Sequence, residues 1–519
     1  MYDTSVDRRA LLGGAGLLAA GLTFSATRVW AQPAFASDPF TLGVAAGDPA
    51  PDGFVIWTRL APQPLEPNGG MPMAAVPVRW EVAEDDGFRA IARSGQAFAP
   101  PELAHSVHVE VGGLKPARRY WYRFRTGSDA VSLTGTAMTA PAAGALPEKL
   151  RIAVAGCQFY QPGYFTAYRH LSQEPDLDLV FHYGDYIYEG NGNGDGTPVR
   201  RHVGEECQSL DDYRRRYAQY KLDPDLIAAH AAVAFAMSFD DHEVDNNWAG
   251  DHDQDGTPPA QFVLRRAAAM QAWYEHMPVR AAQAPRHGAV HMYRRLDYGQ
   301  LLRMHVMDTR SYRDPILCGQ GGENGCNTKD DPTRTMLGRA QEAWLADGLG
   351  STARWNLIAQ QVLVMPFDVR PDGTTESVFP QDTWNGYRGA RRRLVKTVVD
   401  RKLTNVVIAT GDAHQHAVGN VPADDRTPDG PAVASEFMAT SISSGGDGGP
   451  RKRRQQDMLR HNPNLLLLNN QRGYQVHDIS AERWDTDVKF IEKVSVRNAP
   501  LKILARFSVD PKQPGPQSA

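Results

Sequence analysis

The chain has 519 residues, too many for one hydrophobic core, so two or more domains are expected. Hydrophobic residues make up 42% and charged residues 22%, the ordinary balance of a soluble globular enzyme. Lys and Arg total 56 against 60 Asp and Glu, a formal charge of -4, which excludes the clustered basic surplus of a nucleic-acid footprint.

In chain order, Asp7-Arg8-Arg9-Ala10-Leu11-Leu12 opens an uncharged stretch to Thr27, rich in Leu, Gly and Ala. Ala34-Phe35-Ala36 is a small-residue cleavage signal before Ser37. Residues 1–36 read as a twin-arginine export peptide, so the expected partner is the twin-arginine machinery and the expected location periplasmic or secreted. The alternatives are an ordinary secretory signal or a retained anchor. The apolar stretch is near the lower limit for spanning, and no later stretch is long and apolar enough to cross a bilayer.

Residues 37–145 read as a small antiparallel β-sandwich. Phe54–Thr58, Val76–Val82, Ser106–Val111 and Arg119–Phe124 are short alternating runs, divided by turn signals such as Pro51-Asp52-Gly53 and Gly112-Gly113. Leu114–Tyr122 resembles a fibronectin-type strand with its preceding turn. Residues 146–510 have the βαβ texture of a layered α/β domain. Strand-like runs are Arg151–Ala155, Leu179–His182, Val233–Phe239, Leu301–Met307, Trp355–Leu363 and Asn405–Ala409, with Tyr474–Asp478 and Val488–Val494 near the end. Arg265–Met277 and Gly338–Gly348 have helix composition. Residues 511–519 are rich in Pro and Gln and are expected to be a disordered tail.

There are four cysteines. Cys318 and Cys326 flank a glycine-rich loop easily closed by a disulfide in an oxidising compartment, and Cys207 reads as a buried free thiol. Cys157 belongs with the chemistry.

Four polar clusters each follow an apolar run, and strand ends on one sheet edge converge in space. In Gly156-Cys157-Gln158 the thiol lies just past a strand, as a metal thiolate or as a buried structural cysteine. In Gly184-Asp185-Tyr186-Ile187-Tyr188 the carboxylate can bridge two cations, and the Tyr188 phenol, three residues on, can meet the same ion. Asp240-Asp241-His242-Glu243, followed by Asn246 and Asn247, is crowded with oxygen donors suited to a hard cation, with Asp241 first and Asn246 or Asn247 second, or else is a solvated acidic loop. Gly411-Asp412-Ala413-His414-Gln415-His416 repeats the pattern of strand, glycine and ligand. Its two imidazoles at i and i+2 share one side of an extended segment, with His416 as an alternative supporting residue. Arg310 or Arg313 can clamp an anionic oxygen or pair with a local carboxylate. Gly445-Gly446-Asp447-Gly448-Gly449 reads as a loop at the rim, and no Gly-x-Ser-x-Gly elbow is present, which disfavours a serine hydrolase.

These residues, in this order over nearly the whole mature chain, resemble the alkaline phosphatase D family of metallophosphoesterases. The resemblance includes Phe40–Pro49 at the start of the sandwich. It implies a two-sheet metallophosphoesterase α/β sandwich with a ferric ion and calcium, for which Zn2+ or Mg2+ are substitutes. Cys157, Asp185, Tyr188 and His414 would surround iron. Asp185, Asp241, Asp412 and Asn246 or Asn247 would serve calcium. Two departures are present: Asp412-Ala413-His414 stands where the family has His-x-His, and the leader has Asp7 before its arginines and no Phe after them.

The expected function is an exported, monomeric phosphomonoesterase or phosphodiesterase using a metal-bound hydroxide. Arg310 would neutralise phosphate oxygens, and His242 or His416 would position the phosphate or protonate the leaving oxygen. The alternatives are a phospholipase D-like diesterase and a non-catalytic exported binding protein with structural metals.

Overall fold

The computed structural model describes residues 35, 37–192, 198–317, 331–350, 353–449 and 452–519. All of the leader except Phe35, and both Cys318 and Cys326, lie outside the described residues. No helix among the described residues is long and apolar enough to cross a membrane.

The N-terminal part is made of β1 (Val44–Ala50), β2 (Gly53–Arg59), β3 (Val76–Ala83), β4 (Ile91–Ala99), β5 (Ser106–Val111), β6 (Arg119–Thr126), β7 (Ala130–Val131) and β8 (Gly135–Met138). Alternation is clearest in β6, where Tyr120, Tyr122 and Phe124 point inward and the residues between them are more exposed. Tyr120 and Tyr122 meet Phe54 of the opposite wall at ring-centroid distances of 6.3 and 6.4 Å.

The first half of the remainder holds β9 (Leu150–Ala155), α1 (Thr166–Ser172), β10 (Leu179–His182), α2 (Leu210–Lys221), α3 (Pro224–Ala232), β11 (Phe235–Met237) and α4 (Pro259–His276). Next come β12 (Arg294–Tyr298), β13 (Leu302–Val306), α5 (Gly338–Gly348), β14 (Trp355–Ala359), α6 (Arg388–Asp400), β15 (Val406–Thr410), β16 (His416–Pro422) and β17 (Ala432–Met438). The chain closes with α7 (Lys452–His461), β18 (Leu465–Asn469), β19 (Gly473–Ile479), β20 (Trp484–Ile491), β21 (Leu501–Asp510) and β22 (Gln513–Ser518). The fold is α/β, as expected.

Ten strands form one sheet in the order β22-β21-β20-β19-β9-β10-β11-β1-β2-β5, and seven form a second, β12-β13-β14-β15-β17-β16-β18. Parallel neighbours β9, β10 and β11 lie in the middle of the first, and β13, β14, β15 and β17 in the second. Both faces of these strands are covered, which is why their sequences are continuous apolar runs. The two sheets share one core, joined for example by Trp355 against Trp484 at 5.6 Å between ring centroids.

Four boundaries depart from the sequence reading. The N-terminal sandwich shares a wall with the rest of the molecule: β1 pairs in parallel with β11, Gly47 opposite Phe235, so β1, β2 and β5 extend the ten-stranded sheet. Residues 511–519 are not a disordered tail. Gln513–Ser518 form β22 on the sheet edge, where Pro is tolerated, with Gly515 N donating to Ser435 Oγ at 3.1 Å. The runs Val233–Phe239 and Trp355–Leu363 pair only over Phe235–Met237 and Trp355–Ala359. Their last residues leave the ladder to hold the loops of the site.

Candidate active site

The four clusters follow the carboxyl ends of β9, β10, β11 and β15, and both sheets present those ends to one buried pocket. Cys157, Asp185, Asp412 and His414 all have left-handed backbones, with φ of 51°, 54°, 66° and 54°. Such conformations cost about 1–2 kcal/mol each for a side-chain-bearing residue and concentrate at functional sites. The glycines of the motifs have two uses. Gly184 turns out of its strand at φ +125°. Gly156 and Gly411 instead lie against the ring of Tyr183, where a Cβ would collide with it. Tyr183 is fixed from its far end by donating to Thr440 O at 2.9 Å.

Asp185 is the centre of the arrangement. Its Oδ2 accepts from Cys157 Sγ at 3.1 Å and from Tyr188 Oη at 2.9 Å, and His414 Nε2 lies 4.0 Å away. Tyr188 Oη is also 3.0 Å from His414 Nε2 and 2.6 Å from Ser444 Oγ. Three sets of potential ligand atoms each fall within 4.8 Å of one another: Cys157, Asp185 and His414; Asp185, Asp241 and His242; and Asp240, Asp241 and Asp412. Asp185 and Asp241 each belong to two sets, so the sets are contiguous.

Glu243 ties these loops together. Its carboxylate accepts backbone N–H bonds from Asp185, Tyr186 and Asp240 at 3.1, 2.6 and 2.8 Å. Glu189 does the same on the open side, accepting from Asn246 N at 2.9 Å and facing His242 Nδ1 at 2.7 Å.

The electrostatics are those of crowded acids short of positive charge. Burial, then the Asp241 charge, pushes Asp185 well above the usual carboxylate range. Asp412 rises well above it through burial and Asp240. Asp240 is pushed up to about 7, chiefly by burial. Burial also opposes charge on Asp241, yet Arg310 and His242 hold it below its ordinary value. His242 is held well above its ordinary value against burial by Glu189, Asp241 and Asp185. His414 falls to about 3 through burial and the nearby Arg472 charge, leaving a neutral imidazole, the form that binds metal ions. The Cys157 thiol is raised far above 9.0 by burial, then by Asp185 and Asp412, so only a cation would make it a thiolate.

This donor set fits metal ions. Asp185 Oδ1 and Asp240 Oδ2 are buried and make no hydrogen bond, although buried carboxylate oxygens ordinarily find a partner. Thiol, phenol and imidazole on one side suit a ferric ion, and oxygens on the other suit calcium.

Two of the three catalytic candidates sit elsewhere than the sequence suggested. Arg310 is fully buried and engaged by carboxylates. Its Nε binds Asp240 Oδ1, its Nη1 reaches both oxygens of Asp382 at 2.9 Å, and its Nη2 lies 3.3 Å from Asp412 Oδ1. The fork is engaged by three carboxylates, the arrangement of the ion-pair alternative. His416 begins β16 and turns away from the cluster. Its Nε2 lies 3.1 Å from Lys489 O and its Nδ1 accepts from Thr440 N at 3.3 Å. The i, i+2 argument fails because His414 is left-handed, so the segment is not extended. Asn246 directs its carboxamide nitrogen to Gln254 Oε1 at 2.7 Å. The structure does bring together Cys157, Asp185, Tyr188, Asp241, His242, Asp412 and His414.

Sequence reasoning passed over Asp240, Glu189, Glu243, Ser444 and Asp382. Asp240 and Glu243 stand inside a motif already singled out, and Glu189 directly follows another. Asp382 comes from a segment after β14 with no cue, and Arg313 Nη2 also donates to it at 2.7 Å.

Known proteins share the sequence and fold of this chain. The "PhoD-like phosphatase" family profile matches residues 152–488, and the "PhoD-like phosphatase, N-terminal domain" profile matches residues 25–141. The chain is 43% identical to alkaline phosphatase D of Bacillus subtilis (strain 168) over 525 residues, covering 99% of this chain and 89% of that protein. It also resembles a solved structure described as "Structure of PhoD", with a TM-score of 0.89 and 42% identity, covering 94% of this chain and 93% of the other.

Proposed function

The chain belongs to the PhoD-like phosphatase family and is a phosphoric ester hydrolase, and from that premise we propose that it cleaves phosphate mono- and diesters at a paired ferric iron and calcium centre. Cys157, Asp185, Tyr188 and His414 would hold the iron. Asp185, Asp240, Asp241 and Asp412, with a carboxamide oxygen from Asn246 or Asn247, would hold the calcium. Asp185 would serve both ions. Bound there, the cations supply Lewis acidity that makes water nucleophilic near neutral pH and neutralises phosphate oxygens.

The protein's own residues do the rest. Glu243 fixes the backbone of both carboxylate loops, so the donors are pre-positioned. Arg310 keeps Asp240 and Asp412 close enough to share one cation. His242, kept protonated by Glu189, donates to the bound phosphate and then to the leaving alcohol oxygen as the P–O bond breaks. Arg310 and His416 have no direct contact with substrate in this scheme.

The single observation that carries the reading is Asp185, shared by two ligand sets and retaining a buried oxygen with no hydrogen bond. Changing Asp185→Asn is expected to remove bound metal and nearly all turnover of p-nitrophenyl phosphate. Full metal content with full turnover in that variant would sink the bridging role. The protein acts after twin-arginine export, as a periplasmic or secreted monomer.

A further inference from the structure

Beside the metal-ligand cluster lies a second cavity, of about 230 Å³. One wall is the loop bearing His414, whose imidazole meets Tyr188 and Asp185, so the cavity adjoins the cluster. The opposite wall is α7, through Arg454, Gln455 and Met458, and Arg472 and Asn470 close the end. The lining contains two arginines and no carboxylate.

The two arginines differ in a way that suits a receptor. Arg472 is 3% exposed and fixed: Nη1 donates to Ser441 Oγ at 2.6 Å and to Ser444 O, and Nη2 donates to Asn470 O. Arg454 is exposed, and among the described residues no carboxylate pairs with it. It stands in the first turn of α7, where a cation opposes the field of the helix. A position unfavourable to the helix becomes favourable once an anion binds beside it. Gln455 Nε2 is buried in the same wall and has no hydrogen-bond partner.

Resting on the reading that the neighbouring cluster binds the scissile phosphate, we propose that this cavity seats the alcohol arm of the ester. Arg454, with Arg472 behind it, selects arms that end in a second anionic group, a carboxylate or a phosphate. Gln455 supplies a further donor to that group. Arg454 is a specificity residue and takes no part in bond cleavage.

The test uses the metal-loaded enzyme and two phosphonates that cannot be hydrolysed, 3-phosphonopropionate and propylphosphonate, titrated by calorimetry. The parent protein is expected to bind the carboxylated compound at least about fivefold more tightly, the scale of one solvent-exposed ion pair, with the preference shrinking at high salt. Arg454→Glu should bring the ratio to one or below, and Arg454→Lys should keep most of it. A parent ratio near one, or a ratio unmoved by Arg454→Glu, overturns the proposal. The readout needs no turnover. Binding of both phosphonates that is indifferent to metal removal would count against the metal-centre reading, while the ratio between them still reports on Arg454.

Discussion

Replacing Arg310 by Met tests what holds the acidic pocket together. The guanidinium is completely buried and serves three carboxylates by hydrogen bond, those of Asp240, Asp382 and Asp412, with Asp241 Oδ2 at 3.8 Å. Methionine fills the volume of the stem and removes the charge. Breaking a buried pair by deleting one partner costs about 3–5 kcal/mol, because the charge left behind has neither water nor counter-ion. That cost should fall on the metal-free protein, where Arg310 and Arg313 are the arginines among these acids. Bound cations take over part of the neutralisation, so the metal-loaded variant should lose less. Thermal unfolding of both proteins, with and without chelator, measures this. The rise in melting temperature on metal binding is expected to be larger in Arg310→Met than in the parent. The same variant separates the two readings of Arg310. Carboxylate positioning predicts a lower kcat in the metal-loaded variant, whereas a phosphate clamp predicts a raised KM with kcat unchanged. A metal-free variant as stable as the metal-free parent, or a defect confined to KM, would refute the reasoning.

Three further outcomes are expected. If Tyr188 binds a ferric ion, the metal-loaded protein has a visible charge-transfer band that Tyr188→Phe abolishes or shifts strongly; an unchanged spectrum would place the chromophore elsewhere. Gly411→Ala drives a methyl into the Tyr183 ring and should destabilise the protein by about 1–3 kcal/mol, the range for overpacking, read from chemical denaturation. Lys221 is buried against Trp57 and Tyr186, and burial lowers its amine from 10.5 to about 7. The unfolded chain therefore holds more protons than the folded one between about pH 7 and pH 10.5. The penalty is fully present below that window and vanishes above it, so stability rises with pH by up to ~1.4 kcal/mol per unit. Lys221→Met should flatten that slope and stabilise most near neutrality, and a variant with the parent's slope would show that the amine is not the source.

Much of the site was legible because its chemistry is local. An apolar run, a glycine and a donor mark a strand end, and ends of parallel neighbours meet whatever the helices between them look like. Cys157, Asp185 with Tyr188, Asp241 and Asp412 with His414 were all readable in that way. What escaped depends on contacts made across the fold. Arg310 and Asp382 are 72 positions apart in the chain, and nothing local distinguishes an arginine that faces substrate from one enclosed by acids. The spacing of His414 and His416 implied a shared side only under an extended backbone, and a left-handed residue broke the alternation. Strand β22 was hidden by its composition, since Pro and Gln signal disorder until an edge offers them a partner. Pairing between β1 and β11 joins segments almost 190 residues apart, beyond the reach of any periodicity.

That pairing bears on how this protein can be dissected. Cutting the gene at the visible boundary near residue 145 would sever no loop between independent bodies; it would split one continuous sheet lengthwise. The larger fragment would present β11 as a raw margin of unpaired N–H and C=O groups, a template for fibril-like self-association. Its three residues lead directly into Asp240 and Asp241. The N-terminal region is thus structural support for catalysis, and fragments meant to isolate the chemistry are expected to aggregate before they can be assayed.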